Sequence, residues 1–286
     1  MKHTTQADKA RHLWHLHDEG CFVLPNVWDF ASAALVLDAG FDVVATSSAA
    51  VAFARGWPDG ERIGRDTMIA IAGELAARLD VPVTADLEAG YGLRPEDVAA
   101  TVTAAIGAGV VGCNIEDASP PGRLLDLELA TARIRAGVDA AHSSGLPEFS
   151  LNARTDPFLC GGRSVPEQLA ESVLRGKAYL AAGARSVFVP GTVDPAVIGE
   201  LVAGIGGPVN VMAVGGGKTP DVERLRSLGV RRVSLGGALM AAAYGSARQV
   251  LASLRAGGRF DFEAGVSHRE FNALMQQHVA ASDRAR

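Results

Sequence analysis

The stretch VPVTADLEAGYG at residues 81–92 does most to decide the fold. Small and β-branched residues lead into Asp86 and Glu88, and two glycines then end the predicted strand. Because side chains alternate along a strand, Thr84, Asp86 and Glu88 share one face. Two carboxylates on one face of a buried strand repel each other and lose hydration, so keeping both ionised requires a cation or several donors. A hard divalent metal is the simplest such cation.

Outward from this stretch, strand-like runs alternate with helical patterns along the chain. The predicted strands cover residues 21–28, 42–48, 81–88, 110–117, 149–156, 186–191, 208–214 and 232–237. The predicted helices cover residues 29–39, 64–79, 95–108, 124–144, 165–182, 194–204, 219–228 and 238–256. Eight β-then-α units favour an α/β fold of the (β/α)8 TIM-barrel type over an open sheet. We predict a single domain, 1–286, with an N-terminal helix (1–20), a barrel (21–258) and a C-terminal helical appendage (259–286).

Composition limits the classes of function. The 286 residues are 48% hydrophobic and 21% charged, with a formal net charge of -5 and no basic run, which argues against nucleic acid as a partner. Three cysteines without a CxxC pair indicate neither a disulfide framework nor a zinc site. The N-terminus has no apolar signal region, and no window of about 18 apolar residues predicts a membrane span. We therefore expect a cytoplasmic protein that does not bind membranes.

The C-terminal stretch SHREFNALMQQHVAAS is helical in pattern and lies beyond what a barrel needs. Such an appendage packs either on a neighbouring subunit or back on its own barrel. We expect a homo-oligomer, a dimer or tetramer, that assembles through these C-terminal helices.

Reactive side chains in barrels of this kind come from the carboxyl ends of the strands. Those ends carry several carboxylates, one cation, and small hydroxyls and amides: Ser47, Ser48, Asp86, Glu88, Glu116, Asp117, Arg154, Asp156 and Asn210. A magnesium ion with an anionic substrate requires such a set, because Mg²⁺ takes few protein carboxylates and exchanges its waters for substrate oxygens.

Structural explanations compete with each functional one. A carboxylate at a strand end often caps the next helix, but the clustering of Asp86, Glu88 and Glu116 on consecutive strands favours a metal site. Because side chains alternate along a strand, Asp117 is expected to point to the outer face of the barrel, which favours a structural role. Arg154 either bridges carboxylates inside the barrel or binds a substrate carboxylate; we prefer the second, because its planar fork suits a carboxylate.

Other motifs are weaker. The run GGGKT at 215–219 lacks the first glycine of a Walker A loop, and no GxSxG motif indicates a serine hydrolase. Cys113 shares a strand face with Ile115, so its side chain is expected to point towards the helices and to belong to the core. Cys160 follows the fifth strand on the reactive side, where packing is the default role and a functional thiol is the alternative.

Several segments together resemble the isocitrate lyase/phosphoenolpyruvate mutase superfamily. They are LPNVWDFASA, the serine-bearing end of the second strand, WPDG, TADLEAGYG, NIED, NARTD and PVNVMA, and the resemblance covers about residues 20 to 258. It implies a Mg²⁺-dependent site, with Mn²⁺ as an alternative metal, that makes or breaks a C–C or P–C bond through an enolate-like species.

The resemblance also implies roles for individual residues. Asp86 is similar to the direct metal ligand of the family, and Glu88 and Glu116 to the residues that hold waters of the metal. Ser47 and the amides beside it, with Ser48, would bind the enolate oxygen. Arg154 would bind a substrate carboxylate. Asp59 of the WPDG loop would lie near the reacting centre, and Asn210 would contact the substrate.

Two departures from the family pattern bear on the substrate. Members that cleave isocitrate or methylisocitrate carry a KKCGH-like lid after the fourth strand, and the mutases carry their own lid with lysine and asparagine. Here residues 118–123 read ASPPGR, without cysteine, histidine, lysine or asparagine. In addition, Ser48 stands where the family usually has glycine.

From these observations we predict a Mg²⁺-dependent lyase or hydrolase of a small 2-oxo or 2-hydroxy carboxylic acid. It would cleave a C–C bond through an enolate-like intermediate. One alternative is P–C bond chemistry on a phosphonopyruvate-like acid. The other is a barrel that binds a metal and a carboxylate without turnover.

Overall fold

Parallel strands follow one another around a single sheet in the computed structural model, which describes residues 4–119, 122–260 and 265–283. The sheet contains β1 (Phe22–Leu24), β2 (Asn26–Val27), β3 (Val44–Thr46), β4 (Val83–Asp86), β5 (Gly112–Glu116), β8 (Ser150–Arg154), β9 (Ser186–Phe188), β10 (Val209–Met212) and β11 (Arg232–Ser234). Two further strands, β6 (Ala118–Ser119) and β7 (Arg123–Leu124), pair antiparallel in a separate hairpin.

The order of the strands closes the sheet into a barrel. Neighbours run β1-β11-β10-β9-β8-β5-β4-β3-β2, so the two ends of the order are β1 and β2. Only Pro25 separates these two segments, which together form the predicted first strand. Proline has no N–H to donate to a sheet, but the Pro25 carbonyl still accepts from the Ala45 N–H at 3.0 Å. The barrel therefore has eight strand positions, which confirms the predicted fold class.

The predicted helices are present, with ends that differ by a few residues. The helices are α1 (Gln6–Leu16), α2 (Phe30–Asp38), α3 (Ser48–Ala54), α4 (Arg65–Arg78), α5 (Pro95–Gly107), α6 (Leu127–Ser143), α7 (Val165–Ala181), α8 (Pro195–Ile205), α9 (Val222–Ser227), α10 (Ala238–Gly257) and α11 (His268–Asp283). Asp29 and Asp194 cap α2 and α8 with side-chain hydrogen bonds, as their residue types predict. The short helix α3 was not predicted.

Apolar packing lies between the sheet and the helices rather than inside the barrel. Val83, Ala85 and Leu87 of the β4 region belong to the main hydrophobic cluster, and Cys113 is buried there too. The alternate residues face inward and are mostly polar and buried: Thr84, Asn114, Ser150, Asn152, Ser186, Asn210 and Arg232. Bulky aliphatic side chains usually fill the interior of such barrels. The interior of this barrel is instead lined mostly by polar side chains.

Helices α1 and α11 are the first and last elements of the chain, and both pack against the barrel. The α1 side chain of Leu13 reaches the inner face of the barrel, 3.1 Å from where a Cβ on Gly112 would lie. Helix α11 contacts α2 and α4 of its own chain and buries Leu274. No helix among the described residues has the length and apolar character needed to cross a bilayer.

Candidate active site at the carboxyl ends of the strands

The carboxylate of Asp86 stands at the end of β4 and is held from the side by Ser48. Its Oδ2 accepts from the Ser48 amide at 3.0 Å and from the Ser48 hydroxyl at 2.7 Å. The amide of Asp86 itself donates to the Thr46 hydroxyl at 2.9 Å. Ser48 can make both contacts because β3 ends at Thr46 and Ser48 begins α3. The residue that departs from the family glycine thus contacts the predicted metal ligand.

Ser47 forms the corner between β3 and α3. Its amide donates to the Val27 carbonyl at 3.1 Å, and its hydroxyl caps α3 by accepting from the Ala50 amide at 3.3 Å. The amides of Ser47 and Ser48 therefore both have partners within the protein. The hydroxyl proton of Ser47 is the group of this corner that remains to contact a substrate oxygen.

The side chain of Glu88 is buried and tied to the loop that contains the WPDG motif. Its Oε2 accepts from the Glu61 amide at 2.5 Å, and the Tyr91 hydroxyl lies 3.4 Å from Oε1. The Glu61 carboxylate in turn accepts from the Tyr91 amide at 2.7 Å. All three residues have left-handed backbone, with φ of 51° for Glu88, 60° for Glu61 and 59° for Tyr91. Such strain in non-glycine residues concentrates at functional sites.

Burial raises the pKa of Glu88 to about 7, and the charges of Asp86 and Asp59 act in the same direction. The hydrogen bond from Glu61 opposes this shift. Asp59 itself lies at the solvent-accessible rim of the site. Partial loss of hydration and the nearby charge of Asp86 raise the pKa of Asp59. The site therefore holds more carboxylates than it can keep ionised without an added cation.

Arg154 bridges two carboxylates at the ends of β5 and β8. Its Nη1 donates to Glu116 Oε1, and its Nε donates to Asp156 Oδ1 at 2.7 Å. Burial raises the pKa of Glu116 well above its usual value despite the Arg154 charge. Burial also raises the pKa of Asp156. Burial lowers the pKa of Arg154, but Glu116 and Asp156 outweigh it and the net shift is upward. This guanidinium stays charged and can present its edge to a substrate carboxylate.

The remaining predicted residues lie outside this centre. Asp117 is buried and accepts from Thr155, Arg175 and Tyr179, so its contacts are structural. Asn210 is fully buried inside the barrel, where its Oδ1 accepts from Ser234 at 3.3 Å.

The donor set fits a hard cation with one direct protein ligand. The Oδ1 atom of Asp86 is buried and has no hydrogen-bond partner among the described residues. Within the same residues, no three His, Cys, Asp or Glu side chains converge closely enough to coordinate one ion directly. Mg²⁺ usually takes one or two carboxylates and keeps several waters. Asp86 as the one direct ligand, with Glu88 and Glu116 as residues that could hold waters of the ion, matches this preference.

A small cavity adjoins these groups. It has a volume of about 250 Å³ and is lined by Gly60, Glu61, Glu88, Ala89, Glu116, Ala118, Gly122, Arg154, Asp156, Leu159 and Cys160. Pockets for drug-sized ligands are about 300–1,000 Å³, so this cavity suits a smaller molecule. Burial and the charge of Asp156 raise the pKa of the Cys160 thiol, which favours its protonated form.

Comparison with known proteins identifies the family of the chain. The family model for phosphoenolpyruvate phosphomutase matches residues 13–255. The chain belongs to this family. Within the wider isocitrate lyase/phosphoenolpyruvate mutase superfamily, the chain is similar to an uncharacterized protein of Mycobacterium tuberculosis (strain ATCC 25618 / H37Rv), with 39% identity over 77% of this chain and 80% of the relative. It is also similar to the oxaloacetate decarboxylase of Ectopseudomonas mendocina, with 30% identity over 80% of this chain and 78% of the relative.

A solved structure of oxaloacetate acetylhydrolase in complex with the product oxalate superposes with a TM-score of 0.85. That protein is 26% identical, and the match covers 100% of this chain and 99% of the other. The superfamily to which the chain belongs thus includes lyases, hydrolases and phosphomutases.

The lid segment of the superfamily is replaced here by the β6–β7 hairpin. Ala118 pairs with Leu124, and Ser119 pairs with Arg123. Pro120 and Pro121 lie outside the described residues. Ala118 and Gly122 line the cavity and provide no proton donor from a side chain.

Sequence reasoning missed Glu61 and Tyr91, because their contact with Glu88 depends on a loop folding over the barrel. It also missed Arg232, for which a signal existed: an arginine at the first position of the short buried strand RVS.

Proposed function

We propose that this chain is a Mg²⁺-dependent lyase or hydrolase that cleaves a C–C bond of a small 2-oxo or 2-hydroxy carboxylic acid through an enolate-like intermediate. The observation that supports it best is the arrangement at the strand ends. Glu88, Glu116 and Arg154 line a cavity of about 250 Å³. Asp86 interacts electrostatically with Arg154, and its buried Oδ1 has no hydrogen-bond partner among the described residues. The names of the relatives make oxaloacetate-like acids the first substrates to test.

Some residues of the site would bind the substrate, and others would hold the binding residues in position. Arg154 would bind a carboxylate of the substrate, and its pairs with Glu116 and Asp156 hold the guanidinium in place. Ser48 holds Asp86, and the Ser47 hydroxyl would donate to the oxygen on which enolate charge develops. When bound, Mg²⁺ supplies positive charge that stabilises this developing charge.

Chemistry on a P–C bond is the second candidate, because the family model that matches is that of a phosphoenolpyruvate phosphomutase. The two candidates differ in their products. A C–C lyase or hydrolase releases a smaller oxo acid or oxalate, whereas P–C chemistry changes the bonding of phosphorus.

The test is an incubation with Mg²⁺ of oxaloacetate, 2-methylisocitrate, 2,3-dimethylmalate and phosphonopyruvate, with products identified by mass spectrometry and ³¹P NMR. We expect release of pyruvate or oxalate from one of the C–C substrates. A changed ³¹P signal alone would favour the second candidate. Metal-dependent binding of these acids without any product would identify a non-catalytic barrel.

The variant Asp86→Ala provides the critical control for this assay. Because Asp86 is the proposed direct ligand, we expect the variant to lose activity and calorimetric metal binding, with an unchanged circular dichroism spectrum. Asp66→Ala, at an exposed carboxylate of α4, should behave as the wild type. Wild-type metal affinity in Asp86→Ala would reject the ligand assignment.

A further inference from the structure

Arg232 lies inside the barrel, below the candidate site. It belongs to β11 and is fully buried. Its Nη2 lies 3.4 Å from Oδ1 of Asn114, which belongs to β5. Because β11 and β5 are four positions apart in the barrel order, the side chain crosses the interior. The guanidinium thereby reaches the wall on which Asn114 is paired with Asp86 in register.

The charge of Arg232 has no carboxylate bonded to it among the described residues. Its Nε and Nη1 atoms are buried without a hydrogen-bond partner. The half-buried Arg154 and the buried Arg175, by contrast, each pair with two carboxylates. An unpaired buried charge is strongly unfavourable, so its presence in the interior requires a compensating group.

The compensating group that the geometry offers is Asp86. Its Oδ1 is also buried and unpaired, and it belongs to the strand next to Asn114. Asp86 and Arg232 attract each other electrostatically, although no direct hydrogen bond joins them. Buried polar atoms that lack a protein partner are commonly bridged by internal water. Burial lowers the pKa of Arg232 to about 9, so the guanidinium remains charged at neutral pH.

We propose that Arg232 is the built-in counter-charge of Asp86, a positioning residue that shares this carboxylate with the metal ion and weakens the binding of that ion. This inference rests on the proposed function, which assigns Asp86 to the metal. A positive charge inside a low-dielectric interior repels a second cation over several ångströms. The ion is then held firmly only when the charge of the substrate is added to that of Asp86.

The test measures Mn²⁺ binding without substrate, by electron paramagnetic resonance and calorimetry. Arg232→Met removes the charge and keeps much of the volume, and we expect it to bind Mn²⁺ at least about tenfold more tightly than the wild type, which corresponds to 1.4 kcal/mol. Arg232→Lys keeps the charge and should stay close to the wild type. Arg231→Met alters the neighbouring arginine, which bonds to backbone carbonyls at the opposite end of the barrel, and should also have no effect.

Should Arg232→Met fail to fold, Arg232→Gln removes the charge and keeps a donor for Asn114, with the same expected gain in affinity. Unchanged or weaker Mn²⁺ binding in a folded, uncharged variant would overturn the inference and leave the proposed function intact. If neither the wild type nor the uncharged variants bind Mn²⁺ at millimolar concentration, the proposed function and this inference both fail.

Discussion

Arg154 both pairs with two carboxylates and lines the cavity. Its two ion pairs fix the guanidinium while its edge faces the cavity. Lysine keeps the charge but cannot bind two oxygens in a plane. We expect Arg154→Lys to raise KM by about tenfold or more, a loss of at least about 1.4 kcal/mol, with a smaller change in kcat. Arg163→Lys, at an exposed arginine nearby, serves as the control in the same steady-state assay. An unchanged KM would assign Arg154 to the structural role alone.

Glu88 should make stability depend on pH. Its pKa is raised from 4.5 to about 7, mainly by burial, so the folded state binds this proton more tightly than the unfolded state. The contribution of Glu88 to stability is complete below pH 4.5 and is lost as the pH rises through 7. Thermal melts in EDTA should therefore show a larger fall in Tm between pH 5 and pH 8 for the wild type than for Glu88→Gln. Parallel curves for the two proteins would contradict this.

At the scale of the secondary-structure element, Gly112 on the inner face of β5 leaves space for residues of the two adjacent strands, because it has no Cβ. A Cβ at this position would lie 2.8 Å from the Ser150 carbonyl oxygen and 3.0 Å from the Thr84 hydroxyl. We expect Gly112→Ala to destabilise the protein by about 1–3 kcal/mol through overpacking. Gly107→Ala, in α5 with open space around its Cα, should be neutral or stabilising. Urea unfolding of both variants checks this, and equal midpoints would contradict it.

The elements that the sequence did not predict are short ones. Helix α3 has 7 residues, and β6 and β7 have 2 residues each. Segments of this length cover too few residues for a period of 3.6 or 2 to stand out. They nevertheless shape the site, because α3 directs Ser48 to Asp86 and the hairpin replaces the family lid.

For the whole molecule, the homo-oligomer predicted to assemble through the C-terminal helices stays a prediction, and the exposed face of α10 gives one place to test it. Leu251 and Tyr244 on this helix, which leads into the C-terminal appendage, are 66% and 52% exposed. We expect light scattering to show a dimer or tetramer, and Leu251→Glu to shift it towards the monomer, because a buried charge is costly at an interface. Leu174→Glu on α7, where the leucine is 53% exposed, is the matched control. A monomeric wild type would contradict the prediction.

The sequence by itself determined the order of strands and helices, the barrel class, and which carboxylates and cations stand at the strand ends. These features follow from local rules. Alternation places Thr84 and Asp86 on one face of β4, and capping residues such as Asp29 and Asp194 mark where helices begin. Glu88 lies beyond the end of the strand and has left-handed backbone, so alternation does not place it. Local backbone geometry decides the direction in which a side chain points, so a short window of sequence contains this information.

Only the tertiary structure decided which of these groups meet. Arg154 pairs with Glu116, 38 residues away, and Arg232 reaches Asn114, 118 residues away. Glu61 bonds to Glu88 through a loop that folds over the barrel. Such pairs depend on strand register, on barrel closure and on the length of each side chain across the interior. None of these quantities is a property of a local window, because each is set by the packing of the whole chain.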